Sequence, residues 1–281
     1  MIVVTGATGN VGRPLGQLLA AAGARVTAVS RGIADAGAPG GVRVQPADLT
    51  NPDTLRPVFD GATALFLHDG GASAHQLSPP DILDAAKAGG IGRVVLLSSL
   101  GVVTRPHSPS HGGMMRSFED AVRQSGMEWT ILRPGGFHSN AYAWVASVRA
   151  ERTVAAPFGD VGIPTVDPGD IAAVAAAALL EDGHAGQVYE MTGPALTTPR
   201  QRAGAIADAL GEPLRFVEQT RDEARAQMLA FMLEPVVETT LDVLGAPTPA
   251  EQRLSPDIER VLGRAPRPFA DWAERHVAAF R

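Results

Sequence analysis

Apolar residues in this chain fall into short β-branched runs separated by stretches with helical spacing. Ile2 to Thr5, Val26 to Ser30, Val42 to Gln45, Ala64 to Leu67, Val94 to Leu97 and Trp129 to Leu132 read as strands. Most are apolar throughout rather than alternating, as strands covered on both faces of a parallel sheet are. Between them, Leu15 to Ala22, Ser78 to Ala88 and Phe118 to Gln124 have helical spacing or composition, and Gly23, Gly89 and Gly126 stand where C-terminal caps belong. The alternation predicts an α/β fold built on a doubly wound parallel sheet. After about residue 135 the rhythm loosens at Pro157, Pro164 and Pro168. Helices are expected over Asp170 to Leu180, Pro199 to Leu210 and Arg221 to Leu244, strands over Gln187 to Met191 and Leu214 to Glu218, and Pro- and Arg-rich turns to the end. The expected division is a larger domain over residues 1–150 and a smaller C-terminal α+β lobe over 151–281. Parts of the lobe return to the core, and it packs over the carboxyl edge of the sheet, where such folds bind substrates.

Composition narrows the classes. At 281 residues, 45% hydrophobic and 19% charged, the chain is long enough and apolar enough for a packed core, which argues against disorder. It has no cysteine, so disulfides, thiolate nucleophiles and cysteine-held metals are excluded. A formal charge of −6 gives no broad positive field for nucleic acid. The longest plain apolar run, Ile171 to Leu180, is short of the roughly 20 residues a membrane helix requires. Met1 runs straight into the first strand without a leader, so the expected location is the cytoplasm.

The first strand leads into Thr5-Gly6-Ala7-Thr8-Gly9-Asn10-Val11-Gly12 and then an apolar helix. In this strand-turn-helix context, Gly6 and Gly9 allow a tight turn and close approach to a pyrophosphate. Gly12 lets helix and strand pack, and the helix N-terminus offers free N–H groups. A plain tight turn is the alternative. The second strand ends Ser30-Arg31, where an NAD site would carry an acid. Arg31, with Arg13 beside the last glycine, suits the 2′-phosphate of NADP(H) instead, although an ordinary surface arginine is the other reading. Asp48 and Leu49 after the third strand are placed to border the adenine, and His68 after the fourth, followed by Asp69-Gly70, to lie under the dinucleotide.

These segments resemble a known family. The glycine loop, the strand ending in Arg31, Val94 to Ser99, Ser125 to Phe137 and Val166 to Ala172 are similar to the NmrA-like atypical short-chain dehydrogenases, over about residues 1 to 245. Within the family the chain is similar to the NADPH-dependent quinone reductase branch and its actinobacterial relatives. The resemblance implies a Rossmann domain, a small substrate lobe and NADP(H). It places the nicotinamide near Pro134, Gly135 and Phe137, with Asn140 close by. The family also includes cofactor-sensing regulators that catalyse nothing.

The ordinary acid of short-chain dehydrogenases, a tyrosine with a lysine four residues on, is missing. Ala146 and Gly193 stand at that spacing after Tyr142 and Tyr189, and Lys87, the sole lysine, has Leu83 four positions before it. Where related reductases place a lysine in the helix after the fifth strand, this chain has Asp120. An electron-poor quinone takes hydride to give a delocalised phenolate, which needs far less acid help than an alkoxide. A 1,4-quinone or polycyclic anthraquinone is therefore the expected substrate. Ser98, beside Ser99, together with His138 and Asn140 are the candidate donors, His138 having a backbone-bonded loop histidine as its other reading. Tyr142, Trp144, Met114 and Met115 either line a flat pocket or fill core.

Other constellations carry less. His107 and His111 are four apart, but Pro109 breaks the helix that would align them, so no metal site is expected. Gly101 to Gly113 reads as a mobile loop beside the site. Arg253, Arg260, Arg264 and Arg267, interspersed with Glu251, Asp257 and Glu259, read as a solvated face rather than an anion site. The expected function is an NADPH-dependent reductase of quinone-like or polycyclic aromatic substrates, supplying a hydroxylating (monooxygenase) step in aromatic polyketide tailoring. A second copy of the chain or a tailoring-pathway protein is the expected protein contact. The alternative is a non-catalytic NADP-sensing regulator that binds a protein partner.

Overall fold

The computed structural model describes residues 1–30, 41–68, 76–108, 110 and 112–281. Arg31, Asp69, Gly70, Pro109 and His111, to which the sequence assigns roles, lie outside the described residues. The strands are β1 (Ile2–Thr5), β2 (Val26–Ser30), β3 (Val42–Pro46), β4 (Ala64–His68), β5 (Arg93–Leu97), β6 (Glu128–Pro134), β7 (Thr153–Pro157), β8 (Gln187–Met191) and β9 (Arg215–Gln219). Seven of them form one parallel sheet in the order β3-β2-β1-β4-β5-β6-β8, and β7 pairs with β9 in a separate parallel ribbon. This is the Rossmann-like doubly wound α/β fold that the alternating pattern predicts. The strand order reverses between β1 and β4, which opens a crevice at their carboxyl ends.

Helices cover both faces. α1 (Gly12–Ala21) and α7 (Pro168–Leu180) pack with Val4, Phe66, Val95 and Leu132 on one side. α3 (Pro79–Ala88) and α5 (Gly113–Gln124) pack with Val3, Leu65, Leu67 and Leu96 on the other. Successive strand residues thus point to opposite layers, and both layers are apolar, which is why the strand sequences do not alternate. A third apolar cluster joins α8 (Pro199–Leu210), α12 (Phe269–His276) and β7 through Ile206, Phe269, Trp272, Val154 and Phe280. The late strand β8 returns to the main sheet beside β6.

Several elements differ from the sequence reading. The helical run expected over 221–244 is two helices, α9 (Arg221–Met228) and α10 (Glu234–Gly245). Pro235 in the first turn of α10 disfavours helical backbone before it, and Leu233 is extended at φ −69°, ψ 144°. β7 was not expected, because its short alanine-containing run gains strand character only by pairing with β9. The tail read as turns holds α11 (Asp257–Leu262) and α12, whose Phe269, Trp272 and Ala273 recur at helical spacing and are buried. The segment read as a mobile loop begins with α4 (Gly101–Thr104) and is fastened: Arg105 Nε donates to Glu251 at 2.7 Å, and Ser108 Oγ lies 3.0 Å from Thr239 Oγ1. Among the described residues no helix is long and apolar enough to cross a membrane.

Candidate functional site

The glycine loop sits at the carboxyl end of β1, on one side of the crevice. Gly6 has φ +61°, and a Cβ there would also stand 3.0 Å from the imidazole Cγ of His68 at the end of β4. A Cβ on Gly12 would collide with the Gly6 carbonyl, so α1 can start tight against the loop only with glycine there. Thr8, Gly9 and Asn10 are exposed at the loop's tip, while the Val11 side chain is buried in the core, leaving its backbone N–H to serve the loop. Thr5 is fully enclosed; its hydroxyl donates to Phe66 O at 3.0 Å and accepts from His68 N at 2.8 Å. Both bonds fasten β1 to β4 beneath the crevice. A cradle with no room for Cβ atoms, at the positive end of α1, fits the pyrophosphate of a dinucleotide.

Pro134, Gly135 and Phe137 continue from β6 on the other side. Leu100 N donates to Pro134 O at 2.9 Å, Gly135 N to Met191 O at 3.0 Å, and Val166 N to Gly136 O at 2.8 Å. Backbone bonds to Leu100, Met191 and Val166 therefore hold this segment, and Phe137 is half-buried against the core. The chain then turns through a 3-10 helix, His138–Trp144. Asn10 Nδ2 donates to Ser139 Oγ at 3.1 Å, so the glycine loop and this turn are bonded directly.

Two of the three candidate proton donors are engaged elsewhere. His138 is 1% exposed; Nδ1 lies 2.9 Å from Thr165 Oγ1, Nε2 lies 3.3 Å from Arg267 O, and the ring meets Phe269 edge-on. A carbonyl only accepts, so Nε2 carries the hydrogen and Nδ1 accepts from Thr165. Burial pushes the imidazole down to about 4, which keeps it neutral. These contacts are those of a histidine bonded to the backbone, the other reading of His138. Ser98 Oγ donates to Glu119 Oε1 at 2.6 Å, so its proton faces a carboxylate and not the crevice. Asn140 remains: it is exposed, and its side chain bonds no other described residue.

Glu119 was missed by the sequence reading. It is 0% exposed and accepts from Ser98, from both Nε (2.8 Å) and Nη2 (2.6 Å) of Arg133, and from Arg123 at 2.9 Å. Burial alone would raise its pKa, but the hydrogen bonds from Arg133, Ser98 and Arg123 outweigh that and hold it below the usual carboxylate range. The signal was available, since Glu119 shares the apolar stripe of α5 with Met115 and Val122. Asp120, next along, is exposed and pairs with Arg123.

The remaining candidates separate in the same way. Asp48 Oδ1 accepts from Thr50 N at 3.0 Å and shapes the turn after β3, and Leu49 packs on the core. Arg13 is exposed at the first turn of α1 and forms no ion pair among the described residues. Tyr142 meets Trp272 edge-on and stacks on Phe280 in the third apolar cluster, and Met115 is buried, so both fill core. Of the tail arginines, Arg253 and Arg260 are exposed, as a solvated face would be, whereas Arg264 and Arg267 are half-buried. Arg264 and the Arg267 backbone hold the two oxygens of the enclosed Asp170 at 2.6 and 2.7 Å, and Arg275 pairs with Asp167. These contacts bind the tail to the start of α7.

The profile of a family described as NAD(P)H-binding matches residues 6–182. A (4-alkanoyl-5-oxo-2,5-dihydrofuran-3-yl)methyl phosphate reductase from Streptomyces griseus is 36% identical over 290 residues, covering 100% of this chain and 99% of that protein. An NAD(P)H azoreductase from Xenophilus azovorans is 30% identical over 285 residues, with 100% and 99% coverage. Among solved structures, the NADPH-dependent quinone oxidoreductase of Escherichia coli complexed with NADPH superposes with a TM-score of 0.79 at 24% identity, covering 98% of this chain and 99% of that one. The chain belongs to the NAD(P)H-binding family. It is an NAD(P)H-dependent oxidoreductase.

Proposed function

We propose that the protein is an NADPH-dependent reductase of electron-poor conjugated acceptors, quinone-like aromatics foremost. The observation that carries this reading is the state of the donors beside Pro134–Phe137: His138 and Ser98 are committed to internal hydrogen bonds, and only the Asn140 amide is free. Neither His138 nor Ser98 has a proton free to give, which suits an acceptor whose reduced form is already a stabilised anion. When bound, the reduced nicotinamide supplies a hydride.

The chain's own groups do the rest. The loop over Gly6, Gly9 and Gly12 and the first turn of α1 receive the pyrophosphate, and Arg13 with Arg31 meets the additional phosphate of NADPH. Asn140 donates a hydrogen bond to the acceptor oxygen on which charge develops, and the one proton the reaction needs comes from solvent. The balance is quinone plus NADPH plus one proton giving hydroquinone and NADP⁺. The segment over 151–281 supplies the substrate-facing wall. The names of the two sequence relatives fit this chemistry, because an acyl-substituted oxo-dihydrofuran and an azo bond are both conjugated hydride acceptors. A hydroquinone product reacts with oxygen, and in that way the protein would feed a hydroxylating step.

Anaerobic oxidation of NADPH with a panel of 1,4-quinones, anthraquinones and azo compounds tests the reading. Reduction of at least one quinone with matching NADPH consumption is expected. NADPH binding with no acceptor reduced would overturn it in favour of a sensor that signals to a protein partner.

A further inference from the structure

Arg202 is the one buried arginine of the described chain that holds no carboxylate. Its neighbours in burial are all paired: Arg133 with Glu119, Arg105 with Glu251, Arg93 with Glu128 and Asp182. Arg202 is 6% exposed, stands 5.8 Å over the Trp144 ring and has a single polar contact, a long 3.4 Å bond from Nε to Thr198 O. One of five N–H donors is therefore used. The arrangement is costly twice over, since a charge is desolvated without a counter-ion and a cation lies in the first turn of α8, at the positive end of its dipole. Burial, with nothing to offset it, lowers the guanidinium to about 10.

The unused donors are not sealed in. No fully enclosed side-chain nitrogen or oxygen among the described residues lacks a hydrogen-bond partner, so the terminal nitrogens of Arg202 border open space. Trp144, beneath them, ends the same 3-10 helix that carries Ser139, bonded to the glycine loop, and the exposed Asn140. The Arg202 charge is also felt at His138, which begins that helix.

We infer that Arg202 is an anion-recognition residue of the substrate site: the acceptor carries, beside its reducible ring, an anionic oxygen group (carboxylate, sulfonate or phosphate ester) that this guanidinium binds. The planar fork matches such groups bidentately, and an anion there relieves both costs at once. The inference rests on the reductase reading for its substrate, but not for the existence of the site.

The test compares 1,4-naphthoquinone with its 2-sulfonate in the wild type, Arg202→Met and Arg202→Lys. In the wild type the sulfonate is preferred in kcat/KM. Arg202→Met lowers that preference by about tenfold to a hundredfold, mostly through the KM for the sulfonate and with a smaller change for the neutral quinone, while Arg202→Lys falls between. Inorganic phosphate competes with the sulfonate only when Arg202 is present. Arg202→Met melts at or above the wild-type temperature, because a buried uncompensated charge has been removed. An unaltered preference in Arg202→Met, or a melting temperature lowered by several degrees with both quinones affected alike, overturns the assignment in favour of a structural arginine. If neither quinone is reduced, equilibrium binding of the sulfonate to the NADP⁺-loaded protein separates the two ideas. Arg202-dependent binding keeps the anion site and removes the reductase reading, and Arg202-independent binding or none overturns the site.

Discussion

The side-chain amide of Asn10 donates to Ser139 Oγ at 3.1 Å, joining residues 129 positions apart. It ties the loop proposed to hold the pyrophosphate to the turn that follows the proposed nicotinamide segment. The two ends of a bound dinucleotide thereby meet surfaces whose spacing is fixed before binding, which lowers the ordering cost of the complex.

Asn10→Ala should weaken NADPH binding about fivefold, the worth of one ordinary hydrogen bond. Ser139→Ala should do nearly the same, and the double variant little more, because both remove one interaction. Fluorescence titration of the three proteins with NADPH reads this directly. Additive losses would mean that Asn10 and Ser139 act separately.

Gly12→Ala forces a methyl group onto the Gly6 carbonyl, a backbone atom that has nowhere to move. A loss of about 1–3 kcal/mol in urea unfolding is expected, with NADPH affinity falling alongside. Wild-type affinity in Gly12→Ala would show that the tight junction is not what shapes the cradle.

Ser98→Ala should leave kcat within about twofold and cost about 1–3 kcal/mol of stability, since it deletes a hydrogen bond to a buried carboxylate. Glu119→Gln should be worse, about 3–5 kcal/mol, because Arg133 and Arg123 lose their buried counter-charge. A dead but fully stable Ser98→Ala enzyme would restore the serine as a direct donor.

His138 has its imidazole lowered from 6.5 to about 4 by burial. Above pH 6.5 it is neutral in both folded and unfolded chains. As the pH falls toward 4 the unfolded chain takes the proton first, so stability drops by about 3 kcal/mol across that window and levels off below it. His138→Gln should flatten that part of the pH–stability curve, and turnover should show no imidazole titration from this residue. An activity step near pH 6.5 that vanishes in His138→Gln would return His138 to the chemistry.

The sheet was legible because its strands are apolar on both faces and its turns carry glycine, signals that local sequence alone produces. The glycine loop was legible for the same reason, its requirements at Gly6 and Gly12 being local. Part of what escaped depended on distant pairing, although Glu119 and the helix over Phe269–His276 had local signals. Asp170 finds Arg264, and β7 becomes a strand only beside β9. Likewise, the exclusion of His138 from the crevice follows from Thr165, Arg267 and Phe269 closing around it, none of them near it in sequence.

The central claim is that a hydride passes to a quinone with no help from a titrating side chain. Single-turnover mixing of NADPH-loaded protein with excess 1,4-naphthoquinone under anaerobic conditions, followed across pH 5.5 to 8.5, measures that step alone. One hydroquinone and one NADP⁺ per bound NADPH are expected, at a rate nearly independent of pH and slowed by Asn140→Ala by about tenfold. NADPH that stays bound and unoxidised, or a rate that follows one ionisation and disappears with His138, would contradict it.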